Sequence, residues 1–143
     1  MTHLELFRTP DGPVFGEVAV RPPGGRLMRL LRRAYDFDPW SVVIRLELGE
    51  RPGVLPSKAL RGAGVWMLHP GAGRVRSVRG LAAASRVRGV RKLVCRIRAG
   101  SVLEPRAGSG SDVGWFEVWG KDRDEVQERM QRAHDLIHIE MES

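Results

Sequence analysis

The stretch His3–Gly25, HLELFRTPDGPVFGEVAVRPPGG, decides how the rest of the chain is read. His3–Arg8 and Val14–Arg21 alternate in polarity on either side of Thr9-Pro10-Asp11-Gly12, the pattern of a β-hairpin. Pro10 presets φ for the second residue of a turn, Asp11 suits the third, and Gly12 accepts the left-handed conformation that follows. This predicts a three-residue loop with a glycine bulge. In that register Thr9 faces Pro13, Phe7 faces Phe15 and Glu5 faces Glu17. Leu4, Leu6, Val14, Val18 and Val20 then share one apolar face, because strand side chains alternate. His3, Glu5, Phe7, Phe15, Glu17, Ala19 and Arg21 share the other.

Outward from the hairpin, Pro22-Pro23-Gly24-Gly25 leads into a helix striped by Leu27, Leu30, Leu31, Ala34 and Tyr35. Asp38-Pro39 is an N-cap followed by proline at the first helical position. Trp40, Val43, Ile44 and Leu48 stripe this second helix, and Gly49 ends it. Residues 50–62 read as a linker. Gly64–His69 and Arg74–Arg79 are expected strands around the turn Pro70-Gly71-Ala72-Gly73. A short alanine-rich helix near 81–86, a strand over Val90–Arg98 and a strand over Asp112–Gly120 follow, the last two joined by a flexible tip, Gly-Ser-Gly-Ser, at 108–111. Asp122 and Glu125 form a capping box for a helix striped by Val126, Met130, Ala133 and Ile137. Ile137–Met141 closes the chain as a strand. From Val75 onward the order is βαββαβ, the ferredoxin-like arrangement.

The 143 residues suffice for one domain or two very small ones, and 42% hydrophobic with 29% charged residues excludes simple disorder. No apolar run approaches a membrane span and no signal-peptide pattern opens the chain, so a cytoplasmic location is expected. Cys95 is the one cysteine, which excludes an internal disulfide. The net charge of +7, from 24 Lys+Arg against 17 Asp+Glu, favours anionic partners. An arginine-rich, lysine-poor composition is also what a GC-rich genome encodes, and the arginines are scattered, so charge alone does not select nucleic acid.

Glu5 and Glu17 are the pair that carries chemistry. Two carboxylates directly opposite across a hairpin repel each other, and a hard cation such as magnesium neutralises both. Arg21, on the same face, suits a phosphate or carboxylate oxygen; it also offers, with solvent, a purely structural way to satisfy the glutamates.

The wording of the segment resembles the end of the catalytic domain of ATP-grasp enzymes, in HLELF, in DG and in FGEVAVRPPGG. By that resemblance Glu5 and Glu17 hold the magnesium (or manganese) of Mg-ATP, and Arg21 contacts the reacting phosphoryl or acyl-phosphate group. Many members carry an asparagine ligand two residues after the second glutamate, where this chain has Ala19. Gly25–Met28, Ala34–Asp38 and Arg45–Glu50 resemble the helices that follow in the family. Gly71–Gly80, Val90, Arg98–Ser101, Gly114 and the last helix resemble the C-terminal domain of the L-amino-acid ligase branch.

The expected fold is therefore α+β. Residues 1–58 read as the end of an ATP-grasp catalytic domain, hairpin plus helices, and residues 59–143 as a ferredoxin-like C-terminal domain. The resemblance implies the C-terminal portion of an ATP-dependent carboxylate–amine ligase with an acyl-phosphate mechanism, taking ATP and a carboxylate or amino-acid substrate. The lid lysines and adenine pocket of such enzymes have no counterpart here, so the chain is expected to be inactive alone. A separate polypeptide supplying the missing parts and a second copy of the chain are the protein partners this leaves open.

Other residues yield rival readings. Gly24-Gly25, at the start of a helix bearing Arg26, Arg29, Arg32 and Arg33, suits phosphate binding; that arginine face, opposite the apolar stripe, otherwise lies in solvent. Trp115, Phe116 and Trp119 fall on the strand where an RNA-recognition motif carries its stacking aromatics, which makes a non-catalytic binding module, for RNA or for a partner subunit, the alternative. The first strand supplies no aromatic partner, and Glu117 lies between the rings, which argues for core or interface tryptophans and against nucleic acid. His69, His134 and His138 form no metal set, and Cys95 reads as a buried, inert thiol.

Overall fold

A computed structural model describes residues 1–108 and 110–142; Ser109, in the expected Gly-Ser-Gly-Ser tip, lies outside them. Strands β1 (His3–Thr9) and β2 (Gly12–Ala19) form a hairpin, followed by helices α1 (Leu27–Tyr35) and α2 (Pro39–Glu47). Then come β3 (Gly62–Leu68), β4 (Gly73–Arg79), α3 (Leu81–Ser85), β5 (Val90–Cys95), β6 (Val102–Leu103), β7 (Gly114–Gly120), α4 (Arg123–Asp135) and β8 (His138–Met141). Among the described residues no helix is long and apolar enough to cross a membrane.

The hairpin departs from its expected register and then returns to it. Thr9 pairs with Gly12, so Pro10-Asp11 forms a two-residue loop in place of the expected three, with Thr9 Oγ1 donating to the Gly12 carbonyl at 2.7 Å. Phe7 consequently faces Val14, and Leu6 faces Phe15. A bulge at Gly16 absorbs one residue of β2, after which Glu5 faces Glu17 and His3 faces Ala19. Gly16 fits because a Cβ there would lie 3.0 Å from both the Glu5 carbonyl oxygen and Phe7 Cε2. The slip exchanges two side chains: Phe15 joins Leu4, Leu6 and Val18, while Val14 joins Phe7 and the glutamates. Val20 and Arg21 lie beyond the paired residues. The hairpin is a sheet of its own, and its apolar side chains stay exposed.

β7 is the centre of the remaining structure. It pairs antiparallel with β3 on one edge and β5 on the other, and Gly114–Val118 are all buried. Phe116 and Val118 point to the face covered by α4, where they meet Leu68, Ala84, Val126 and Ala133. Burying a side chain such as Phe116 contributes about 1.5–3 kcal/mol. Trp115, Glu117 and Trp119 point to the opposite face, toward α1.

The βαββαβ element order is present, but the pairing is not that of one ferredoxin-like sheet. That arrangement would place β4 beside β7; here β3 takes that edge, and β4 stands between β6 and β8 in a second sheet. β3 and β4, expected to flank one turn, accordingly belong to different sheets.

Local signals behave as their chemistry requires. Asp38 caps α2 by accepting from Trp40 N at 3.2 Å, ahead of Pro39. Asp122 Oδ1 accepts from Glu125 N at 2.9 Å, and Glu125 Oε2 reaches back to Lys121 N at 2.6 Å, one residue before the usual capping-box partner. We expect Asp122→Ala to cost about 1 kcal/mol and to lower the melting temperature by about 3 °C, read by calorimetry. Across the β4–β8 ladder, Ser77 Oγ donates to Glu140 Oε2 at 2.8 Å and Arg79 contacts Oε1. The Ser77 hydrogen bond, with the Arg79 charge, holds the Glu140 carboxyl below its ordinary value. Its contribution is therefore full above the unfolded carboxylate range and is lost as pH falls through the folded value. Ser77→Ala should move the Glu140 titration back upward, measured by NMR of the side-chain carboxyl.

Candidate functional site

The register restored by Gly16 sets Glu5 and Glu17 directly opposite each other on one exposed face, their side chains 60% and 61% accessible. Arg21 Nη2 lies 3.9 Å from Glu17 Oε1, a loose ion pair, while Nη1 donates to the Pro22 carbonyl at 3.1 Å. Arg21 thus neutralises Glu17 only weakly, and Glu5 not at all. The third residue along this face is His3, whose Nε2 sits 3.6 Å from Glu5 Oε1. His3 Nδ1 is buried with no hydrogen-bond partner. Its neighbourhood to Glu5 follows from their shared parity on β1, the signal that sequence reasoning had and did not use. Across from His3 stands Ala19, which brings no donor. Among the described residues no group of three or more His, Cys, Asp or Glu converges as a complete metal cage.

After Arg21 the chain turns through Gly24, whose carbonyl accepts from Leu27 N at 3.0 Å. Gly25 and Arg26 are both left-handed, with φ of 57° and 68°. Glycine takes that conformation without steric cost; arginine does not, and a second interaction has to hold it. That interaction is the Trp115 ring, whose centroid lies 3.6 Å from the Arg26 guanidinium carbon. The backbone of Gly24-Gly25 is left open, with nothing within 4 Å of where a Cβ would stand on either glycine.

The arginine face of α1 is not simply solvated, as helical patterning suggested. Arg29 meets Glu117 with Nε 2.9 Å from Oε1, an ionic contact without hydrogen-bond alignment, while Nη2 donates to Oε2 at 3.2 Å. Arg33 lies over Trp119 at 5.0 Å. Trp115 and Glu117 are each only 3% exposed, and Phe116 is buried on the other side of the sheet. The three aromatics therefore do not form an open stacking platform. His134 packs its ring on Trp66 at 4.4 Å, and half-buried Cys95 directs Sγ toward the Ile97 carbonyl.

Chemically, the hairpin offers two hard, exposed oxygen donors, with a guanidinium one loose contact away and an open glycine backbone following it.

The L-amino acid ligase C-terminal domain 2 family matches residues 66–142, just over half of the chain. An L-arginine-specific L-amino acid ligase of Bacillus subtilis is 21% identical over 140 residues, covering 97% of this chain and 34% of that protein. The crystal structure of an L-amino acid ligase from Bacillus licheniformis superposes with a TM-score of 0.79 at 19% identity, over 99% of this chain and 36% of that one. An N5-carboxyaminoimidazole ribonucleotide synthetase from Thermotoga maritima superposes at 0.66 with 21% identity, over 99% of this chain and 37% of its own. The chain thus spans about a third of the length of these relatives, whose α+β fold it shares over that part. With more than half of its residues matched, the chain belongs to the L-amino acid ligase C-terminal domain 2 family.

Proposed function

We propose that this chain is the C-terminal portion of an ATP-dependent carboxylate–amine ligase and that it contributes the hairpin Glu5/Glu17 and Arg21 to the reacting centre. The observation that carries this reading is the pair of carboxylates held opposite each other with one cation loosely beside Glu17. Like charges so placed cost stability unless a cation joins them. Their oxygen donors fit a magnesium or manganese ion, with further ligands from the phosphates of ATP. Bound there, the metal neutralises negative charge on the phosphate groups.

In this reading ATP and an amino-acid carboxylate are the substrates. The carboxylate oxygen attacks the γ-phosphorus, the bond to the bridging oxygen breaks, and ADP leaves. An amine then attacks the acyl phosphate carbon, releasing inorganic phosphate and a proton and forming an amide. Arg21 binds an oxygen of the transferring phosphoryl group, where negative charge must be held in place. Gly24 and Gly25 let the backbone approach a phosphate that any Cβ would keep at a distance. The ATP lid and adenine pocket come from elsewhere, in a longer chain or a separate polypeptide. The 143-residue polypeptide assayed by itself should release no phosphate from ATP above a Glu17→Ala control; steady release cleared of contaminating ATPases would contradict this.

The metal pair has a direct test. Millimolar manganese or magnesium should raise the melting temperature of the wild-type chain, by up to about 1 kcal/mol of added stability, since ligand bound only to the folded state stabilises it. Glu17→Gln should melt no lower than wild type without metal, because it removes one of the two repelling charges, and should lose the metal response. An identical manganese response in both proteins would overturn the assignment.

A further inference from the structure

A second charged surface lies where α1 meets the tryptophan face of β7, and it does not depend on the ligase reading. Five basic side chains converge on the face of β7 that carries Trp115, Glu117 and Trp119. Arg26, Arg29 and Lys92 lie 3.6, 5.8 and 5.6 Å from the Trp115 ring centre, and Arg33 and Arg91 lie 5.0 and 5.1 Å from that of Trp119. Against them stands one carboxylate, Glu117, which Arg29 engages. Among the described residues, Arg26, Arg33, Arg91 and Lys92 have no carboxylate partner.

The cations come from two elements, and a backbone irregularity brings one pair there. Regular alternation on β5 would send Arg91 and Lys92 to opposite faces of the sheet. Between Val90 and Lys92 the register shifts against β7, leaving Arg91 as an extra residue, and both cations reach the tryptophan face. Bulges of this kind re-aim side chains next to functional sites. Aromatic faces offset part of the repulsion, chiefly at Arg26, whose contact is the shortest. Arg33, Arg91 and Lys92 sit farther out, exposed to solvent. The Trp119 indole Nε1 is a buried donor with no acceptor among the described residues.

We propose that the exposed cations Arg33, Arg91 and Lys92, gathered at the tryptophan face of β7, bind a polyphosphate anion of two or three phosphoryl groups. Arg33 and Arg91 reach Trp119 from α1 and β5 while Lys92 reaches Trp115, so cations stand at two rings separated along β7, which suits a chain of phosphoryl groups rather than one ion. Guanidinium groups grip phosphate oxygens in pairs, and Lys92 adds a point charge. The site reads phosphate, which reaches it either as an inorganic chain or as the tail of a nucleotide.

The test titrates the 143-residue chain with inorganic tripolyphosphate at physiological salt and no divalent metal, reading tryptophan fluorescence and melting temperature. Wild type should show saturable binding that Arg91→Gln/Lys92→Gln weakens about tenfold, while the unliganded variant melts at or above the wild-type temperature because repulsion is relieved. Should the double variant fail to fold by circular dichroism, Lys92→Gln alone should weaken binding about threefold. ATP binding as well as tripolyphosphate identifies a phosphate-only site; tighter ATP identifies a nucleotide as the source, and either upholds the proposal. The Arg91→Gln/Lys92→Gln variant should keep the manganese response of the wild type, so failure here is separate from failure of the metal pair. Equal affinity in wild type and the β5 variants would overturn the proposal, as would a single-stranded oligonucleotide bound about tenfold more tightly than tripolyphosphate.

Discussion

The contact between Glu117 and Arg29 is the constraint on which the relation between the two halves of the chain depends. Glu117 is the one buried charged residue among those described, and it sits on the central strand between two tryptophans. A carboxylate taken out of water is tolerated only with a partner, and Arg29 on α1 supplies it. The pair is asymmetric. Glu117 is shielded while the Arg29 side chain remains 46% accessible, so water screens part of the attraction. Removing Arg29 would leave Glu117 uncompensated, the costly half of the bargain for any buried pair. Through this contact and the Arg26–Trp115 stack, α1 is fixed to the sheet, and with it the turn that begins at Gly24.

That attachment, together with buried Met28 and the packing of α1 on β3, is what restrains the first half of the chain. The sheet β3-β7-β5 encloses a core of aromatic and branched side chains under α4. The hairpin, by contrast, pairs only with itself, and α2 leaves Trp40, Ile44 and Leu48 largely exposed. A two-stranded hairpin has marginal stability by itself. Within this chain, the rigid reference for the hairpin chemistry is therefore the far end of the turn, where Arg26 lies on Trp115.

What was legible in the sequence was what local chemistry decides. Asp38-Pro39 and Asp122 with Glu125 marked helix starts, and both caps form because their partners are two or three residues away. The opposition of Glu5 and Glu17 was also legible, although through a loop of the wrong length whose error Gly16 cancels. The edge taken by β3 beside β7 was not, because pairing partners some fifty residues apart leave no mark on the periodicity of either strand. The arginines of α1 misled for a different reason. Helical patterning assigns charged residues to water, yet Trp115, Glu117 and Trp119 offer them a face of rings and one carboxylate. The signal was present in Glu117 itself, a carboxylate between two tryptophans that calls for a cation on another element.

The hairpin carries two irregularities that cancel: a loop one residue shorter than the alternation suggested, and one surplus residue at Gly16. Their sum, not either alone, sets which side chains stand together at the open end. Length changes in this segment are therefore tolerated only in matched pairs. A relative with a longer loop keeps the acidic pair aligned if it lacks the bulge, and its spacing between the two glutamates is unaltered. An insertion that shifted the ladder by one residue would turn Glu17 to the opposite face and bring Gly16 beside Glu5, with every residue type in the strand conserved. Counting positions between the acidic residues is thus a stricter guide to this hairpin than the identity of the residues between them.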